Sequence, residues 1–306
     1  MTRSCAFSKE PEALRVVLLA GPTAAGKTSL SIELAKRTCA EIVNADSMQV
    51  YRHMEIGTAK PTAAERLAVP HHLIDVADPD ETFDAARYRE LAAPVIEQIF
   101  DRGKLPIVVG GTGLYLKVLT RGICSGPPSD PRIKEDLLAA ERSVGLENLY
   151  SELALADPTA AARIHPHDRQ RILRALEVFR MTGVPISSYQ QGHGFEETVM
   201  PAIKIFVFRE RDELYERINL RVEHMLAEGL EEEVKRLFAM GYGPELKSMQ
   251  SLGYKQIGEY LLGRLSRDEA VYRIKRDTRR YAKRQMTWFR GDPEFRWFHA
   301  DDIDGI

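Results

Sequence analysis

The segment Gly21-Pro22-Thr23-Ala24-Ala25-Gly26-Lys27-Thr28 constrains this chain more than any other stretch. It matches G-x-x-x-x-G-K-[ST] at every fixed position. It also lies between an apolar run at 15–20 (RVVLLA) and a stretch with Leu30 and Leu34 at helical spacing. A strand that ends in a glycine-rich turn and feeds a helix aims several backbone N–H groups, and the positive end of the helix, at one point. Lys27 adds a full charge, and the Thr28 hydroxyl is of the type that ligates Mg²⁺. A phosphate-binding loop is the expectation. The loop does not name its phosphate compound. No N-K-x-D sequence for guanine is present, and the strand at 105–109 runs into Gly110-Gly111-Thr112, where many P-loop NTPases end a strand with a Mg²⁺-holding Asp.

The surrounding pattern predicts an α/β fold. Strands read at 15–20, 41–45 (EIVNA), 71–76 (HHLIDV), 105–109 (LPIVV) and 203–208 (IKIFVF), with helical stretches such as 83–102 between them. That alternation implies a parallel sheet flanked by helices. At 124–131 (CSGPPSDP) the text turns to linker composition, and from Arg132 to Gly183 it is helical only (132–144, 147–155, 158–164, 168–182). We expect a P-loop core at 1–123, a helical insertion at 124–200, and the remainder of the core with long helices (211–240, 253–262, 267–290) at 201–306.

Asp46 follows the second strand directly. In an open parallel sheet this places it at the ligand crevice beside the phosphate loop. There it serves either as a base or acceptor for a nucleophile or as a helix N-cap. Thr112, past another strand end, faces the same crevice; a turn hydroxyl after two glycines is its alternative reading. The net charge is −2, yet residues 267–290 carry nine Lys/Arg against three Asp/Glu. Arg273, Arg276, Arg280, Lys283 and Arg284 recur at three- or four-residue steps, with Tyr281, Trp288 and Phe289 interleaved. Basic side chains bind phosphate backbones and aromatic faces stack on unpaired bases; a solvated helix with core aromatics is the competing account. The three cysteines, Cys5, Cys39 and Cys124, are odd in number and widely spaced, which fits a reducing compartment and no structural zinc. The first fourteen residues are polar and no apolar run approaches a membrane span, so a cytoplasmic protein with no membrane partner is expected.

In this order, GPTAAGKT (21–28), NADSMQVYRHMEIGTAKP (44–61), HHLID (71–75), VVGGTGLYL (108–116), ARIHPHDRQRILRALEVF (162–179), SLGYKQI (251–257) and YAKRQMTWFR (281–290) strongly resemble the bacterial isopentenyl-tRNA transferase (tRNA dimethylallyltransferase) family in its compact form, without a zinc-finger extension. The resemblance covers nearly the whole chain. It implies transfer of a dimethylallyl group from dimethylallyl diphosphate to N6 of adenosine 37 of tRNA, with Mg²⁺. The diphosphate would then lie on Gly21 to Thr28, with Lys27 on the leaving group and Thr28 on the metal. Arg217 and Arg221 resemble a family arginine pair of which one touches the diphosphate. Asp46 becomes the base on N6, and Thr112 a contact to the target adenosine. The tRNA contacts would be Asp46, Ser47, Met48 and Gln49; Lys134, where other family members have arginine; Asp168, Arg169, Gln170, Arg171 and Ile172; Ser251, Leu252, Gly253, Tyr254, Lys255 and Gln256; and Lys283, Arg284, Gln285, Met286, Thr287, Trp288, Phe289 and Arg290. A monomer is expected. From the residues alone two rivals stay open: a small-molecule kinase using ATP, and a non-catalytic RNA-binding protein whose loop senses nucleotide.

Overall fold

The run Val16–Ala20 (β1) is wholly apolar because it forms an inner strand of the sheet, with all but Val17 buried. The computed structural model describes residues 16–123, 126–191 and 198–306. After β1 come α1 (Lys27–Thr38), β2 (Ala40–Asn44), α2 (Ala63–Ala68), β3 (His71–His72), α3 (Ala85–Asp101), β4 (Leu105–Gly110) and α4 (Gly113–Arg121). Five helices follow: α5 (Pro131–Val144), α6 (Leu146–Ala156), α7 (Pro158–Ala161), α8 (Arg169–Thr182) and α9 (Ile186–Gln191). The chain then forms β5 (Ala202–Phe208), α10 (Arg211–Ala227), α11 (Leu230–Ala239), α12 (Tyr254–Leu261), α13 (Arg267–Arg290) and β6 (Arg296–His299).

The six strands form one parallel sheet in the order β3-β2-β4-β1-β5-β6. Ala20 pairs with Gly110 and with Phe206, and Asn44 with Val109. The ends of β1, β2, β4 and β5 therefore come level at one edge, and everything that follows them starts there. Leu19, Ile42, Ile107 and Ile205 from four strands pack with Leu30 and Ile32 of α1 into the core beneath that edge.

The chain divides into two compact units, residues 1–120 with 199–306, and residues 121–198; the sequence pattern put the insertion at 124–200. The second unit has its own core, in which Leu137, Leu149, Leu153, Ile172 and Leu176 are buried. Asp130, Asp157 and Asp168 cap α5, α7 and α8 through side-chain oxygens.

Several elements depart from expectation. The third strand stops at His72 rather than 76, because Leu73 and Asp75 take left-handed backbone (φ 60° and 58°) that no ladder accepts. The helix expected over 211–240 breaks at Glu228-Gly229 into α10 and α11. The short α2, α9 and β6, and α4, carried too weak a pattern to be read. Cys39 caps the C-terminus of α1 in left-handed backbone, and Cys5 and Cys124 lie outside the described residues. Among the described residues no helix is long and apolar enough to cross a membrane.

Candidate active site

The phosphate loop leaves β1 and turns into α1 at Lys27, so the first amides of that helix face the sheet edge. Lys27 Nζ folds back and donates to the carbonyls of Gly21 and Pro22 at 2.9 and 2.8 Å. Burial brings its ammonium down from 10.5 to about 8, against the pull of the Asp46 carboxylate; Arg221 lowers it further.

Three arginines fasten the loop from the β5 side. Arg209, just past β5, donates through Nε to the Ala25 carbonyl at 3.0 Å. Arg217 donates through Nε to the Ala24 carbonyl at 2.9 Å, and Arg221 donates to Thr23 Oγ1 at 3.2 Å. Their four-residue spacing puts Arg217 and Arg221 one turn apart on α10. Each uses one N–H on the loop and lines the cavity above it. Arg209 is instead committed to Glu213 and Asp301. It was missed in the sequence, since only the return of β5 beside β1 brings it to the loop.

Asp46 lies just past the end of β2 and opens a turn, not the helix whose N-cap it was the alternative to be. Its Oδ1 accepts from the Met48 and Gln49 N–H groups at 2.8 and 3.4 Å, making the turn. The residue also lines the cavity above Lys27. Thr112 Oγ1 accepts the Ser47 N–H at 3.0 Å, which ties the β4 end to the Asp46 turn.

Two cavities meet here. One, of about 260 Å³, is lined by Lys27, Thr28, Asp46, Arg217 and Arg221 among others. The other, of about 390 Å³ and more apolar, is lined by Met48, Ile218, Val222, Met225, Leu252 and Ile274 among others. Thr23, Asp46, Thr58, Ala59, Arg221 and Tyr281 belong to both walls. One side thus offers cations and backbone donors to an anion, the other an apolar chamber, and Asp46 stands between them. Burial, reinforced by the Asp46 charge, pushes the Tyr281 phenol well above its ordinary value.

The model of the IPP transferase family matches residues 49–292. The chain belongs to this family. It is 60% identical over 300 residues to the tRNA dimethylallyltransferase of Syntrophobacter fumaroxidans, covering 98% of this chain and 88% of that one. It is 52% identical to the tRNA dimethylallyltransferase of Geobacter metallireducens, covering 94% of each. Among solved structures it is similar to the full-length tRNA isopentenylpyrophosphate transferase of Bacillus halodurans (TM-score 0.70, 43% identity, 95% of this chain and 92% of that one). It is also similar to a eukaryotic dimethylallyltransferase acting on tRNA (TM-score 0.78, 31% identity, 95% and 75%). Its sheet and flanking helices are those of the IPP transferases.

The residues assigned to tRNA by resemblance to that family fall into two kinds. Lys283, Arg284, Thr287, Trp288 and Arg290 of α13 are exposed, and so is Lys255. Met286 is half-buried. Ser251, Leu252 and Gly253 line the apolar cavity with Ser47 and Met48. In the helical unit Lys134, Arg169, Gln170 and Arg171 are exposed, although Arg169 is held by Glu141 and Asp168 is spent capping α8.

Other side chains assigned to tRNA by that resemblance are engaged within the protein. Ile172 belongs to the helical unit's core. Phe289 is 1% exposed and packs on Phe206 and Phe295. Gln256 bonds to the Gly253 N–H and to Asp277. Tyr254 is buried and donates to Glu233. Gln285 is buried and bridges the loop at Thr23 to the Gly111 carbonyl. Gln49 spends its amide on the carbonyls of Thr58 and Ala59. The basic face of α13 is also narrower than its charge count: Arg273 pairs with Glu269, Arg276 with Asp277 and Lys275 with Glu223.

Proposed function

We propose that the enzyme transfers the dimethylallyl group of dimethylallyl diphosphate to N6 of adenosine 37 in tRNA. The observation that carries this reading is the position of Asp46 in the wall shared by the cationic and apolar cavities. A kinase using ATP gives the basic end of α13 no task, and a non-catalytic RNA-binding sensor gives Asp46 and Thr112 none.

The chemistry suits these residues. The N6 lone pair is delocalised into the adenine ring, so the allylic carbon must gain positive character as the diphosphate departs. Loop amides, Lys27 and the Arg217–Arg221 pair are arranged to hold the negative charge that develops on the leaving group. Thr28 would be the chain's own ligand for Mg²⁺, which would neutralise further diphosphate charge when bound. The C–O bond to diphosphate breaks with its electron pair, the C–N6 bond forms, and Asp46 takes the N6 proton. Thr112, through the Ser47 N–H, holds the Asp46 turn while the base is presented.

An adenine stacked in an anticodon loop cannot reach this site, so it is flipped out at a cost of a few kcal/mol. The exposed end of α13, with Lys283, Arg284 and Trp288, offers charge and an aromatic face for the RNA. A protein acting on tRNA in this way works in the cytoplasm. Incubation with labelled dimethylallyl diphosphate, Mg²⁺ and unmodified tRNA tests the reading. Label in tRNA with adenosine at position 37, and none with guanosine there, supports it. ATP consumption without label in RNA would replace it with the kinase.

A further inference from the structure

Glu233, in the first turn of α11, is 1% exposed, yet it carries a carboxylate. That carboxylate faces three consecutive amides of the loop between β2 and α2. Oε2 accepts from the Glu55 and Ile56 N–H groups at 3.1 and 2.9 Å, and Oε1 from Gly57 at 3.2 Å. The Tyr254 hydroxyl donates to Oε1 at 2.5 Å. Burying a carboxylate is costly unless donors surround it; here four do, and in return the loop is fixed. Gly57 leaves no slack. A Cβ there would lie 2.4 Å from Tyr254 Cε2 and 2.9 Å from Leu230 Cδ1. Burial and the Glu233 charge both keep the Tyr254 phenol protonated, so it remains a donor.

The next two residues of this loop, Thr58 and Ala59, stand in the wall common to both cavities. Their carbonyls each accept from Gln49 Nε2 at 3.1 Å. Gln49 in turn closes the turn on Asp46 Oδ1. Hydrogen bonds joined by the 55–59 backbone and by Gln49 thus link a helix outside the site to the proposed base.

We infer that Glu233 is a positioning residue for the transfer step, setting the Asp46 turn through the 55–59 loop and the Gln49 amide. The inference rests on the reading of Asp46 given above. The carboxylate form matters. A glutamine at 233 would turn an NH₂ donor either toward the Glu55 and Ile56 N–H groups or toward the Gly57 N–H and the Tyr254 hydroxyl, so one acceptor is lost where donors converge.

The test compares Glu233→Gln, Tyr254→Phe, Gln49→Ala and the Glu233→Gln/Gln49→Ala double variant with wild type. Readouts are hydrogen exchange of the backbone amides and single-turnover label transfer to tRNA. In Glu233→Gln, exchange at Glu55, Ile56 and Gly57 should quicken by about tenfold or more, with β1, β2 and β4 still protected. The transfer rate should fall about tenfold, while the KM for dimethylallyl diphosphate changes less than about twofold. The double variant should be no slower than the slower single, because both act through one chain of contacts. Tyr254→Phe removes one donor and keeps the carboxylate, so it should give the same pattern more weakly should Glu233→Gln fail to fold. Fast exchange at 55–57 with an unchanged transfer rate would overturn the positioning role. So would losses that multiply independently in the double variant. A wild-type enzyme that labels no tRNA would instead overturn the reading of the site, whatever the exchange shows.

Discussion

Gln285 Oε1 accepts the backbone N–H of Thr23 at 2.9 Å, joining the basic C-terminal helix to the phosphate loop across 262 residues of sequence. The same amide donates to the Gly111 carbonyl at 3.0 Å. A Cβ at position 111 would fall 2.1 Å from Gln285 Nε2, so any side chain there would displace this amide. The helix proposed to present charge to RNA is therefore also a wall of the cavity above the phosphate loop.

Gln285→Ala leaves the Thr23 N–H and the Gly111 carbonyl without this partner. Orphaning such groups costs about 1–3 kcal/mol. We expect the Kd for dimethylallyl diphosphate, measured by calorimetry, to rise roughly tenfold, with the fold intact by circular dichroism.

Lys27→Ala removes the full positive charge at the loop. Loss of one such contact to a leaving group costs about 10²–10³ in rate. Steady-state label transfer should fall by that order, and diphosphate should no longer protect the loop from proteolysis.

The Lys27 ammonium also sets a pH dependence. It titrates near 8 in the free enzyme, and an anion bound beside it raises that value. Binding therefore takes up a proton between the two values. Affinity should be level below about pH 8 and fall up to about tenfold per unit above it. A Kd series from pH 7 to pH 9.5 reads this, and Lys27→Ala should flatten it.

Phe289 and Trp288 are neighbours with opposite duties. Phe289→Ala empties a core position and should destabilise the fold by about 3–5 kcal/mol in denaturant melts. Trp288, 44% exposed, should change stability little when cut to alanine but weaken tRNA binding, by about 1–3 kcal/mol if a base stacks there.

These contrasts show what the sequence made legible. The phosphate loop, Asp46 and Thr112 each follow a strand end directly, so pattern alone placed them at one sheet edge. The inner strands were equally plain, since their apolar runs are covered on both faces. The burial of Gln285 and Phe289 was not legible, because a helix rich in both charge and aromatics does not declare which face is buried. Arg209 and Glu233 could not be found by spacing. Their partners lie 184 and 176–178 residues away, and only the return of β5 beside β1 and the packing of α11 bring them near.

Lys283 and Arg284 have no ion pair that the described residues supply, unlike Arg273 and Arg276. Replacing both with alanine should weaken tRNA binding and reduce the slope of log K against log salt by roughly 0.7–0.9 per side chain. The corresponding Arg273 and Arg276 variants should move that slope less.

Asp46→Asn gives the most direct test of the site, because it keeps the size of the side chain and the turn's acceptor while removing the base. Single-turnover transfer of labelled dimethylallyl to tRNA should be measured beside the Kd for dimethylallyl diphosphate. A transfer rate lower by about 10²-fold or more, with the Kd within about twofold of wild type, is the predicted result. A transfer rate equal to wild type would contradict the account, since proton removal from N6 would then belong to another group.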